Sequence, residues 1–197
     1  LLIPIDNAFA RLFLGGVPEQ STSITIFRGD GAEEAFVYYW KGRVAGASAT
    51  DDTVTLECEN IFTSMRRPGL RARYQKNCRH ALYGRGCNLD QDDYAVVGIV
   101  TSMSGFTCTI DDVIDSNIAD GHFTGGMIKN SDGYLRYITN HAGTTLTLMR
   151  PFVALEEEVN GSNGQATVTL YPGCDHTTTA CKDKFSNLLN FGGFPFI

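Results

Sequence analysis

The chain has 197 residues, 43% of them hydrophobic and 19% charged, with 21 Gly and six Cys. That composition argues against disorder, and at roughly 100 to 200 residues per domain the length allows one large domain or two small ones with a real core. Sixteen Lys plus Arg against 22 Asp plus Glu leave a formal charge of −6, which argues against a chain whose main task is coating nucleic acid, since such proteins carry a large positive excess.

The chain opens on Leu1-Leu2-Ile3-Pro4, without Met or a charged leader, and closes on Gly192-Gly193-Phe194-Pro195-Phe196-Ile197. A trimmed N-terminus, or membership of something longer, is therefore expected. Hydropathy then alternates with period two, the pattern of strands with one buried face. Strand readings fit residues 23–28, 35–44, 54–58, 94–103, 106–110, 133–139, 144–149 and 165–171. In the third of these, Val54, Leu56 and Cys58 share a face, which places Cys58 in a core. Cys108 alternates with Phe106 and Ile110 and is expected to point inward with them. Turn signals separate the strands: Gly29-Asp30-Gly31, Ser104-Gly105, Ser131-Asp132-Gly133, Ala142-Gly143 and Asn160-Gly161-Ser162-Asn163-Gly164.

Helix is expected only in short pieces at residues 60–67, 77–83 and 182–189, none long enough to stand alone. The longest apolar runs, such as residues 94–100 and 35–40, fall far short of the roughly 20 residues of a membrane helix. There is no repeat of fixed period. The expected class is mainly β, with small barrel-like domains and few short helices, divided into residues 1–77 and a C-terminal module at 78–197 that carries an inserted barrel at 88–173.

Two stretches break the alternation. Residues 60–89 contain no acid but hold Arg66, Arg67, Arg71, Arg73, Lys76, Arg79 and Arg85, seven of the sixteen cations. This arm needs a negative partner or is a solvated basic face. Residues 185–195 are apolar yet too rich in Gly, Asn and Pro for a strand, so they are expected to wrap something as ordered loop.

With Cys58 and Cys108 assigned to cores, four cysteines remain in non-strand segments. Cys78 and Cys87 flank one short turn and Cys174 and Cys181 another, and Gly84, Gly86 and Gly173 allow backbone to approach a bound object. The hairpins of the 88–173 insert can bring both pairs together. Four thiolates from two loops hold a tetrahedral zinc or an iron-sulfur cluster. Neither pair has the tight knuckle usual for structural zinc, so the wider loops suit a larger object. Two disulfides, Cys78 to Cys87 and Cys174 to Cys181, remain open in an oxidising compartment. So do free thiols. His80 and His176 each follow a cysteine by two residues and read as donors to a ligand sulfur, with direct ligation the lesser alternative. The arm beside Cys78, including Arg79 and Arg85, is placed to offset the charge of an anionic cluster.

An enzyme is not indicated. His122 and His141 stand in separate hairpins, Asp111, Asp112 and Asp115 lie near a turn, and Glu156-Glu157-Glu158 reads as a surface turn; none assembles a nucleophile, a base and an orienter. A ferredoxin-like carrier would show the compact two-residue cysteine spacing, which is absent. A host-binding role for the insert is the third class, and no aromatic-rich face in its composition points to it.

The blocks Cys78-Arg79-His80-Ala81-Leu82-Tyr83-Gly84-Arg85-Gly86-Cys87, Pro172-Gly173-Cys174-Asp175-His176 through Cys181, Lys184-Phe185-Ser186-Asn187 and Asn190-Phe191-Gly192-Gly193-Phe194-Pro195 resemble a tailed-phage tail-tip family. That family includes the lambda-like minor tail protein L and the hub proteins of siphophage baseplates and gene transfer agents. The resemblance covers roughly the C-terminal 120 residues, whereas residues 1–77 match only loosely. It implies a structural virion protein with a four-iron, four-sulfur (4Fe-4S) cluster on Cys78, Cys87, Cys174 and Cys181, zinc being the alternative metal. It also implies a place at the tail tip between the distal tail protein and the central tip or fibre protein, with the tape measure as a further neighbour. A trimeric ring through which DNA passes is expected, assembled in the reducing host cytoplasm, where disulfides are disfavoured. The 86-residue insert is longer than in the lambda-like member.

Overall fold

A computed structural model describes residues 1–14, 17–29, 36–66, 68–69, 72–111, 118–161 and 164–196. The chain is mainly β and forms two compact units, Leu1–Gly69 and Leu70–Ile197. Asp112 and Asp115, together with Arg67 and Arg71 of the basic arm, lie outside the described residues.

The first unit is an antiparallel sheet of β1 (Leu2–Pro4), β2 (Ser23–Arg28), β3 (Val37–Ala49) and β4 (Thr53–Asn60), in the order β1-β4-β3-β2. A single-turn helix, α1 (Ala8–Arg11), is capped by Asn7, whose side chain accepts the Phe9 N–H at 2.9 Å. Ala10 and Phe13 cover Val44, Val54 and Leu56 to make a small core. Cys58 does not belong to it. Val54 and Leu56 are buried as the alternation requires, but Cys58 is exposed. Opposite it, β3 carries a bulge between Val44 and Gly46 that interrupts the regular pairing.

The second unit is built around a closed antiparallel barrel. Its strands are β5 (Val96–Ser104), β6 (Thr107–Ile110), β7 (Met127–Lys129), β8 (Leu135–Ala142), β9 (Thr145–Leu148) and β10 (Ala166–Tyr171), in the order β10-β5-β6-β9-β8-β7. Gly105 (φ 58°) and Gly143 (φ 56°) make the turns of the β5–β6 and β8–β9 hairpins, in backbone that favours glycine. The interior holds Val100, Cys108, Ile110, Ile128, Ile138, Leu146, Val168 and Leu170. Cys108 is inward, at 0% exposure, but Phe106 is not, at 52%: it sits in the turn, where alternation has not begun.

Residues 156–158 are not a surface turn. They lie on α2 (Val153–Gly161), whose Leu155 and Val159, one helical turn apart, join the barrel core. Three consecutive acids conceal that spacing in the sequence. Residues 77–83 are not helical, and Tyr83 there takes a left-handed φ of 58°. In place of one helix at 182–189 there is a π-helix, Ala180–Lys184, then left-handed Ser186 and a 3-10 turn, Leu188–Asn190. The helix expected at 60–67 is a 3-10 segment, Ile61–Arg66. Among the described residues, no helix is long and apolar enough to cross a membrane.

Candidate functional site

Barrel closure positions the site. β10 pairs with β5 so that Leu170 faces Val96, and the chain therefore enters and leaves the barrel at neighbouring points. The segments carrying Cys78 and Cys87, before β5, and Cys174 and Cys181, after β10, are joined there by polar contacts. Tyr83 donates its hydroxyl to the Pro172 carbonyl at 2.9 Å, the Cys78 N–H donates to the His176 carbonyl at 2.8 Å, and Tyr94 donates to the Phe185 carbonyl at 3.2 Å. Burial, then the charges of Tyr94, Cys87 and Cys174, raise the Tyr83 phenol well above its ordinary pKa, so the hydroxyl remains a donor.

Residues 185–195 do wrap something, namely the thiols. Asn187 donates to the Cys87 carbonyl at 2.6 Å and lies 3.7 Å from its sulfur, while its own carbonyl is 3.2 Å from the Cys181 Sγ. The Gly192 N–H donates to the Cys78 Sγ at 3.3 Å, and the His176 N–H donates to the Cys174 Sγ at 3.3 Å. The wrap is tied down further along by the Phe194 N–H on the Gln75 carbonyl at 2.9 Å and by the Phe194 ring, 4.0 Å from that of Tyr74.

The thiols feel one another. Burial raises the pKa of Cys181, and the charges of Cys78, Cys174 and Cys87 raise it further. Cys174 is raised first by burial and then by Asp175, Cys78 and Cys87, against the lowering effect of the His176 N–H. Four sulfurs within electrostatic reach favour the thiolate state only if something positive shares their charge. All six cysteines are free thiols. Among the described residues, no three His, Cys, Asp or Glu side chains are grouped so as to hold a single metal ion. Cys108 stands apart in the barrel, where burial pushes its thiol up to about 12.

At the three glycines expected to admit a bound object, the protein's own atoms come close. A Cβ on Gly86 would lie 2.2 Å from the His80 ring, one on Gly173 would lie 1.9 Å from the Thr124 carbonyl, and one on Gly84 would lie 3.0 Å from that of Ala81. His80 also packs against Gly192, where a Cβ would fall 2.4 Å from its ring. It is thus wedged between the Cys87 loop and the C-terminal wrap. His176 has a left-handed φ of 63° and a buried Nδ1 without a hydrogen-bond partner. Arg79 and Arg85 are exposed. Among the described residues, Lys184 is a cation that the charge of Cys174 reaches.

A family model described as "Phage conserved hypothetical protein BR0599" matches residues 121–197, under half of the chain. One solved structure, titled "Virion of native gene transfer agent (GTA) particle", contains a chain of similar fold, with a TM-score of 0.68 at 21% identity. The match covers 89% of this chain and 61% of that one, so this chain spans somewhat over half the length of its structural neighbour. No curated protein matches.

His122 and His141 flank the Phe123 ring with centroids 5.0 and 5.1 Å away. Burial, with lesser contributions from Lys184 and His141, lowers His122 to about 4. Burial also lowers His141, against opposing contributions from Gly143 and Asp120. Both are neutral packing groups at neutral pH.

Proposed function

We propose that this chain is a structural protein of a phage-type virion whose second unit is held together by a 4Fe-4S cluster on Cys78, Cys87, Cys174 and Cys181. The observation that carries the reading is the convergence of two thiol-bearing loops and the C-terminal wrap, with amide donors on Cys78 and Cys174. Such donors stabilise thiolate ligands and tune sulfur-ligated metal centres. The thiols of the two loops interact electrostatically, and neither cysteine pair has the tight knuckle usual for a single structural zinc. The gene transfer agent virion likeness and the phage family model support the virion setting.

When bound, the cluster supplies four metal–sulfur bonds that cross-link segments otherwise joined by a few hydrogen bonds. By analogy with structural zinc, such a site contributes on the order of 10 kcal/mol to local folding. The chain's own residues do the rest: Asn187 ties Cys87 to Cys181, His80 spaces the Cys87 loop from the wrap, and Tyr83 closes the barrel mouth over Pro172. The platform that results suits a tail-tip or baseplate hub component. Its partners in that role are the distal tail protein, the central tip or fibre protein and the tape measure, with copies of the chain closing a trimeric ring for DNA passage.

The test is anaerobic purification followed by iron, acid-labile sulfide and zinc analysis with a visible spectrum. Iron and sulfide in equal amounts are expected. Zinc without iron would replace this reading with a zinc-stapled β-module serving as an adaptor or host-binding domain.

A further inference from the structure

Lys184 is in an unusual position for an ammonium group. It ends the π-helix that contains Cys181, and its Nζ donates to the carbonyls of His122 and, at 2.7 Å, of Gly173, the residue before Cys174. The Phe185 ring lies beneath it, 5.5 Å from Nζ to the centroid. Every one of these contacts is neutral. Among the described residues, no carboxylate forms an ion pair with it. Asp175 Oδ1 accepts from the Thr177 N–H at 2.9 Å and hydroxyl at 2.7 Å, and the Asp175 charge acts on Lys184 through the field. The other titratable neighbours, His122 and His141, are neutral for the reasons given above. Burial lowers the Lys184 pKa, and the charges of Cys174 and Asp175 oppose that lowering. A cation removed from water without a bonded counter-ion is costly unless another negative charge lies near.

We infer that Lys184 is a positioning residue, held by two carbonyls as a fixed positive charge beside the sulfur centre, where it favours the more negative of the centre's charge states. The inference rests on the cluster reading proposed above. One-electron reduction makes a four-thiolate cluster more negative by one charge, so a nearby cation stabilises the reduced form and raises the midpoint potential. A residue that merely pinned the loop would leave that potential unmoved.

The test uses the anaerobically purified full chain as wild type, Lys184→Met and Lys184→Arg. Each is titrated with dithionite in the presence of redox dyes while bleaching of the visible band is followed. The midpoint of Lys184→Met is expected to move to more negative potential, and that of Lys184→Arg to stay near wild type. An unchanged midpoint in Lys184→Met, with iron and sulfide present, overturns the inference and leaves the cluster reading standing. Should Lys184→Met fail to fold, Lys184→Gln decides: its amide can still donate to a carbonyl but carries no charge. A midpoint moved to more negative potential supports the inference, and a wild-type midpoint overturns it. Absence of iron and sulfide from the wild-type chain overturns the cluster reading, and this inference with it.

Discussion

The Gly192 N–H donates to the sulfur of Cys78 at 3.3 Å across 114 residues of chain. The contact requires glycine, because the His80 ring fills the space where a side chain would begin. Gly192→Ala is therefore expected to push the wrap off Cys78 and to destabilise the second unit by about 1 to 3 kcal/mol, the usual range for overpacking. Denaturant midpoints and iron content, measured on the same preparation, check both effects; unchanged values would refute the close packing of His80.

The six cysteines are expected to separate into three behaviours on replacement by Ser. Cys78, Cys87, Cys174 and Cys181 should each lose metal. Cys58, exposed at the end of its hairpin, should change stability by no more than about 0.5 kcal/mol. Cys108, at 0% exposure in the barrel core, should retain metal but lose about 1 to 3 kcal/mol for a buried hydroxyl without a provided partner. Metal analysis beside thermal melts distinguishes these outcomes, and equal metal loss at all six would defeat the division.

Asn187 is buried, and its amide serves the Cys87 carbonyl while its side-chain oxygen accepts from Asn190 at 2.6 Å. Asn187→Ala removes both side-chain hydrogen bonds of a buried residue and is expected to cost about 1 to 3 kcal/mol. Tyr83→Phe removes one hydrogen bond at the barrel mouth and should cost about 1 kcal/mol. Urea titrations of the two variants should show that order; the reverse would mean that the barrel mouth, not the wrap, holds the loops together.

Acid should weaken the fold through His122. Its pKa is about 4 when folded, below the ordinary 6.5, so between those values the unfolded chain binds the extra proton. Stability from this group is fully present above pH 6.5 and is lost as pH falls toward 4. His122→Gln is expected to flatten that part of the profile, read as the difference in urea midpoint between variant and wild type at pH 7 and pH 4.5. A parallel pair of profiles would show that His122 does not titrate below its ordinary range.

Some of this was legible from local pattern. The alternation around Cys108 and the hairpin signals from Asn88 to Gly173 led to a barrel, and the same rule misplaced Cys58, because alternation assigns a residue to a face but not what covers that face. The helix α2 was hidden by Glu156-Glu157-Glu158, and the short β7 had too few residues for a period to show. The four cysteines outside strands stood out by spacing. Asn187, Gly192 and Lys184 did not, since each acts on groups tens of residues away.

Period-two hydropathy, the turn residues and the cysteine spacing are properties of neighbouring residues, and from them the amino-acid order alone gives a β-rich chain and sets two cysteine-bearing loops apart from its strands. Which atoms meet at those loops was decided by barrel closure. Pairing β10 with β5 brings the two ends of the insert side by side, and only then can the Gly192 amide find Cys78 or the Lys184 ammonium find two carbonyls. Contacts of that kind depend on where the whole backbone returns in space, and no short window of residues carries that information.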